Sequence, residues 1–98
     1  MELSEIDLNQ LVLFQQLMAE RRVSRVAEQL GLSQPAVSNA LARLRQRLGD
    51  ELFVRTPSGM QPTPFAEQLA GPVGQALALI HGGLNQQVQF DAAREQRA

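Results

Sequence analysis

Gln34, Ser38, Asn39, Arg43 and Arg45 are the residues of this 98-residue chain whose types and spacing could do chemistry. At the helical period Asn39 and Arg43 join Pro35, Ala42 and Gln46 on the outward face of a segment running from Gln34 to Leu48, with Gln34, Ser38 and Arg45 on its flank. Amides and a hydroxyl stand near its N-terminus and arginines follow toward its C-terminus. A side-chain amide can pair bidentately with adenine, and a guanidinium fork fits guanine or a phosphate. Val37, Leu41, Leu44 and Leu48 recur at i, i+4, i+7 and i+11, so they make the opposite, apolar stripe. A solvated helix face in a small bundle would favour Glu and Lys, and this face has neither. The pattern reads as a helix built to lie in a DNA major groove.

Enzymatic constellations are missing from the sequence. His81 is the single histidine, with no cysteine anywhere in the chain and no paired acid beside it. It reads as a helix-surface residue rather than a base or a ligand. Glycine-rich phosphate loops and internal repeats are absent. No catalytic residue, metal ligand or cofactor is expected.

The elements that must position the reading face follow from local signals. Ser24 is a candidate N-cap, followed by a short helix, Arg25 to Leu30, with Val26, Ala27 and Leu30 turned inward. Gly31 can end that helix in the left-handed conformation. Ser33 caps the next helix, and Pro35 sits in its first turn, where a missing N–H costs little. Ala27, Gly31 and Val37 supply the small residue, turn glycine and apolar anchor of a helix-turn-helix. Upstream, Asp7 and Gln10 make a capping box for a core helix carrying Leu8, Leu11, Val12, Phe14, Leu17 and Met18, and Glu20–Val23 connects it onward.

Beyond Gly49 the pattern changes. Leu52-Phe53-Val54 is β-prone, Thr56-Pro57-Ser58-Gly59 is a turn signal, and Met60 to Thr63 returns extended. The alternatives are a wing hairpin and a plain surface loop. Thr63 can cap, and Pro64 start, a last helix from Phe65 toward Val88, with Leu69, Val73, Leu77, Ile80 and Leu84 every three to four residues. Twenty-four residues would span about 36 Å, too long to pack wholly on so small a domain. The stripe therefore asks for a partner, and a second copy of the chain is the economical one. Pro72 should bend this helix. Gly71, Gly74, Gly82 and Gly83 each cost up to about 1 kcal/mol against alanine. A kinked helix fraying beyond Gly82 is expected, then a polar, capless, mobile tail.

Length bounds the chain to one small domain. The formal net charge is −1, an unpromising figure for a nucleic-acid binder until its distribution is read. Residues 1–20 hold Glu2, Glu5, Asp7 and Glu20, a sum of −4. Residues 21–55 hold seven arginines against Glu28, Asp50 and Glu51, a sum of +4. Positive charge thus sits on the reading unit, as phosphate contact requires. Every cation is arginine, which a GC-rich genome explains at least as well as a phosphate partner. The absence of cysteine fits a reducing compartment. The acidic N-terminus lacks a signal pattern and no apolar run reaches membrane-spanning length, so a cytoplasmic protein is expected, without a membrane partner.

AEQLGLSQPAVSNALARLRQRLG, then ELFVRTPSGMQPTP, then a long helix closely resemble the N-terminal domain of LysR-type transcriptional regulators. The resemblance covers about Asp7 to Leu84 and looks most like the branch of nodulation, aromatic-catabolism and leucine-operon regulators. It implies a mainly α fold: a winged helix-turn-helix with a three-helix core and two-stranded wing over 1–63, and a dimerisation linker helix over 64–90. Residues 91–98 would be a tail leading to an effector-binding domain that full-length members add. In the family, positions matching Ser33, Gln34, Pro35 and Ser38 approach DNA, and the wing arginine matching Arg55 holds the backbone. Asn39 stands where many members carry arginine, and asparagine suits adenine rather than guanine. The wing tip, Pro57-Ser58-Gly59, lacks the arginine some relatives place in the minor groove, leaving Ser58 as its polar group. Phe65-Ala66 replaces the Ala-Gly pair common after the T-P start.

The partners implied are double-stranded DNA with an inverted-repeat operator and a homodimer through Leu69, Val73, Leu77, Ile80 and Leu84. A full-length parent would form a higher oligomer, and no small-molecule effector is expected on this fragment. The other class of function open to the same sequence is a protein-interaction module whose arginine face meets an acidic partner.

Overall fold

Asp7 takes an extended conformation and its carboxylate accepts the Asn9 amide N–H, while the Gln10 side chain accepts the Asp7 N–H. This capping box starts α1, Leu8–Glu20. In the computed structural model, which describes the backbone of residues 2–97 and the side chains of 2–86, α1 follows a short 3-10 turn, Leu3–Glu5. α2 spans Val23–Leu30, α3 Gln34–Leu48, β1 Phe53–Thr56, β2 Gly59–Pro62 and α4 Pro64–Arg97. The fold is mainly helical, with one two-stranded antiparallel sheet.

α2 begins earlier than its serine suggests. Arg21 closes α1 in the left-handed conformation, φ 61°, and Arg22 then serves as the N-cap of α2 without a side-chain bond. So tight a reversal leaves Ser24 already inside the first turn, exposed, and not the cap. The end of α2 matches its glycine: Gly31 has φ 67°, and the N–H groups of Gly31 and Leu32 donate to the Glu28 and Ala27 carbonyls. That pairing satisfies two end carbonyls of the helix. Ser33 then caps α3 through Oγ, which accepts the Ala36 N–H at 3.2 Å, and Pro35 occupies the first turn.

The core forms where the three helices cross. Leu13, Phe14 and Leu17 of α1 meet Val26 and Ala27 of α2 and Val37, Leu41 and Leu44 of α3, all buried. Leu30 and Leu48 are half-buried at its edge. Leu52, Phe53 and Met60 bring the hairpin into the same cluster. Phe14 and Phe53 pack with ring centroids 5.7 Å apart at 51°, an arrangement worth about 0.5–1.5 kcal/mol beyond its area. Deleting either ring would loosen the hairpin from the helices.

The segment Phe53–Pro62 is a wing hairpin rather than a loop, paired from Phe53↔Pro62 to Thr56↔Gly59 around Pro57-Ser58. Leu52 lies just outside it with φ 64°. Gly59 has φ 122°, and a Cβ there would sit 2.8 Å from the Arg21 carbonyl oxygen. That carbonyl accepts the Met60 N–H at 2.7 Å, so the wing docks directly on the end of α1.

α4 corrects two expectations. It is helical through Gly82 and Gly83 to Arg97, past the end expected near 90, so 91–97 belong to the helix (Ala98 lies outside the described residues). The glycines lower propensity without demanding a break, and the Gln-, Ala-, Arg- and Glu-rich stretch after them favours helix. Pro72 lies inside α4 and removes one backbone donor. The second correction concerns the stripe. Val73 is 6 % exposed within its own chain, and Leu69 and Leu77 pack against the same core. These three cover α1 first because α4 crosses it there. The continuation is open: Ile80 is 43 % and Leu84 67 % exposed.

Candidate nucleic-acid interface

Once the Val37–Leu41–Leu44 stripe is buried, helical geometry turns Gln34, Pro35, Ser38, Asn39, Ala42, Arg43 and Gln46 to solvent, and all are exposed. No carboxylate occurs between Glu28 and Asp50, so this surface carries no acid of its own. Ser33 is exposed at its N-terminal edge, with its hydroxyl already engaged in the cap. Gln34, Ser38 and Asn39 remain together on the first two turns and combine donors and acceptors suited to base edges.

The two rims differ. Along one, Gln34 shares a cleft of about 230 Å³ with Arg21, Arg22, Ser24 and the wing residues Arg55 and Pro57. Arg55 projects from β1 and is exposed, and Ser58 is exposed at the hairpin tip. Along the other rim Arg43 borders a cleft with Asp7, Asn9 and Leu32. Arginines therefore flank a neutral, amide-bearing ridge.

Arg45 departs from its expected place. Its Nε donates to the Glu51 carbonyl at 2.6 Å and its Nη2 to the Phe53 carbonyl at 2.7 Å. Two of its donors thus face the wing base, not the solvent ridge, which leaves Arg43, with Arg47 one turn on, as the exposed arginines of α3. The chain reaches Phe53 through a three-residue turn, closed by the Phe53 N–H on the Glu51 carbonyl, with Leu52 at positive φ in its centre. A left-handed leucine costs on the order of 1–3 kcal/mol and persists only where its surroundings hold it. Here they do. Asp50 Oδ1 accepts both the Leu52 N–H and the Thr63 hydroxyl at 2.7 Å, and the Thr63 N–H donates to the Leu52 carbonyl. Thr63 Oγ1 also accepts the Ala66 N–H, so the same hydroxyl caps α4.

Sequence reasoning passed over Arg22, Asp50 and the Arg21 carbonyl. Two signals pointed to them: an arginine doublet just ahead of the helix-turn-helix, and an aspartate two residues before a backbone N–H it can accept. Away from the ridge, Leu8, Val12, Leu77, Ile80 and Leu84 line an apolar cleft of about 390 Å³ between α1 and α4. His81 borders it, with the Asn85 amide nitrogen 3.2 Å from Nδ1. Among the described residues no cluster of three or more His, Asp or Glu could hold a metal, and no helix is long and apolar enough to cross a membrane.

A three-helix core with a helix-turn-helix and a hairpin wing defines a winged-helix DNA-binding domain. Residues 8–67 match the family described as bacterial regulatory helix-turn-helix protein, lysR family. The chain is 55 % identical over 97 residues to the HTH-type transcriptional activator NahR of Pseudomonas putida, covering 99 % of this chain and 32 % of that protein. It is 52 % identical over 83 residues to the HTH-type transcriptional regulator LeuO of Escherichia coli K12, covering 85 % and 26 %. In structure it resembles the probable transcriptional regulator PA0477 from Pseudomonas aeruginosa, with TM-score 0.82 and 46 % identity over 86 % of this chain and 28 % of that one. The BenM DNA-binding domain in its catB site 1 DNA complex shares the fold, with TM-score 0.80 at 20 % identity over 87 % of this chain and 96 % of that one. The chain belongs to the LysR family, as its helix-turn-helix DNA-binding domain. It spans between a quarter and a third of the length of these curated relatives, which are transcriptional regulators and not enzymes.

Proposed function

We propose that α3 enters the DNA major groove with Gln34, Ser38 and Asn39 toward base edges, while Arg43, Arg55 and Arg22 hold phosphates on either side. The observation that carries this reading is the exposed, carboxylate-free face of α3 with arginines along both rims. Base-edge pairing supplies selectivity, and the arginines supply position and salt-sensitive affinity. Ser33 and Pro35 set the approach of the helix N-terminus, and Ser58 meets the duplex at the wing tip. The BenM domain, of the same fold, is bound to DNA in its solved complexes. An acidic protein partner would suit the arginines but leave the amide ridge without a role.

Dimerisation belongs to the same proposal. The exposed Ile80 and Leu84 and the cleft they border suit α4 of a second copy, so two α3 helices read an inverted repeat about one helical turn apart. A longer parent would place this module in the bacterial cytoplasm, at the nucleoid, in a higher oligomer. Effector response would reside elsewhere in that parent, so the fragment binds DNA constitutively. Selection from random duplexes, followed by titration of the winning sequence and a scramble, tests the reading. A preferred half-site bound in a salt-dependent way is expected, and equal affinity for both duplexes would overturn it.

A further inference from the structure

We propose that Arg45 is a positioning residue: its guanidinium fork, with Asp50 and Thr63, latches the base of the wing to the last turn of α3 and so places Arg55 against the duplex. The inference rests on the DNA-binding reading above and adds to it how the two contacting elements are held in register.

The geometry carries the argument. One arginine spans the turn before β1, gripping the carbonyls of Glu51 and Phe53 on either side of the left-handed Leu52. On the far side of that turn Asp50 Oδ1 holds the Leu52 N–H and the Thr63 hydroxyl, joining the strand that enters the wing to the chain that leaves it. The backbone of Arg45 takes part as well, since its carbonyl accepts the N–H groups of Gly49 and Asp50. Among the described residues the Arg45 side chain thus ties α3 to the turn, while Asp50 and Thr63 tie that turn to the chain leaving the wing. Arg55 is two residues beyond Phe53 and extends from the strand so anchored. If the latch opens, the wing keeps its hold on α1 through the Met60 N–H and on the core through Phe53, but the strand carrying Arg55 loses its polar tie to α3, the helix that carries Gln34 on the other side of their shared cleft.

A phosphate contact and a latch make opposite demands on the side chain. A phosphate accepts lysine as a point charge, whereas the two carbonyls are reached by two separate nitrogens of a planar fork, Nε and Nη2, which the single ammonium nitrogen of lysine does not reproduce. The test is titration of the chain, over a range of salt, with its selected duplex and a scramble. The proteins compared are wild type, Arg45→Lys, Arg45→Met, Thr63→Val, Arg55→Ala and the double variant Arg45→Met/Arg55→Ala, with circular dichroism to establish folding. The latch predicts that Arg45→Lys loses affinity about as much as Arg45→Met, on the order of tenfold. It predicts that the double variant is no weaker than Arg55→Ala alone. Thr63→Val, which keeps every charge, should lose affinity in the same direction, and it decides the matter if the Arg45 variants do not fold. Rescue by lysine, additive losses in the double variant, or unchanged binding by folded Thr63→Val would overturn the latch. A wild-type chain that binds both duplexes equally would instead overturn the DNA-reading proposal itself.

Discussion

Asn39 and Arg55 are both exposed on the proposed contact surface, yet their chemistry assigns them different work. An amide on the second turn of α3 can satisfy one base edge and penalise others, so Asn39→Ala should cost roughly 1–3 kcal/mol on the preferred duplex and little on a scramble. Arg55→Ala removes a charge and no base contact. It should weaken all sequences alike and reduce the slope of log affinity against log salt by about 1. Titrations of both variants on both duplexes separate these outcomes, and an Asn39→Ala loss of equal size on scramble would assign that residue to the backbone. Gly59 makes a residue-scale prediction about stability. With φ 122° and the Arg21 carbonyl 2.8 Å from any added Cβ, Gly59→Ala should lower unfolding free energy by about 1–3 kcal/mol. A urea denaturation midpoint unchanged from wild type would contradict that.

At the scale of elements, α4 serves two neighbours. Its first half completes the core through Ala66 and Val73, while Ile80 and Leu84 extend the same stripe past the end of the domain. Val73→Asp should therefore unfold the chain, because it buries a charge among apolar neighbours. Ile80→Asp should leave the fold intact and weaken self-association by about 1.5–3 kcal/mol per side chain removed from the seam. Sedimentation velocity with circular dichroism distinguishes the two, and a wild-type-like dimer for Ile80→Asp would place the seam elsewhere. The same helix marks how far sequence reasoning reached. Local signals were legible where one side chain decides a conformation: Asp7 with Gln10, Gly31, Ser33, and Thr63 before Pro64 all occupy the capping positions their chemistry suggested. What a stripe packs against is not local. Period alone grouped Leu69, Val73 and Leu77 with Ile80 and Leu84, but the position of α1 divides them. Ser24 has the chemistry of a cap but not the position, because the left-handed Arg21 shortens the preceding connection and nothing in an arginine announces that conformation. The angle of Arg45 on the helix puts it on the flank of the contact face, while its reach to the wing base depends on a hairpin 8 residues downstream.

For the molecule as a whole, a net charge of −1 conceals a polarity that the fold turns into a surface. Of the acids in the first 20 residues, Asp7 shares the cleft that Arg43 borders, whereas the cleft of Arg21, Arg22 and Arg55 on the wing side of α3 is lined by no acid. Nonspecific attraction should thus be strongest on the wing side of α3 and bring that side to DNA first. The central claim is that this domain reads sequence through α3, and one measurement reaches it most directly. A duplex selected from a random pool and its scramble are titrated with the chain between about 50 and 200 mM salt. The account predicts at least about tenfold preference for the selected duplex at every salt concentration, with affinity for both falling as salt rises. Equal affinities across that range, or binding indifferent to salt, would contradict it.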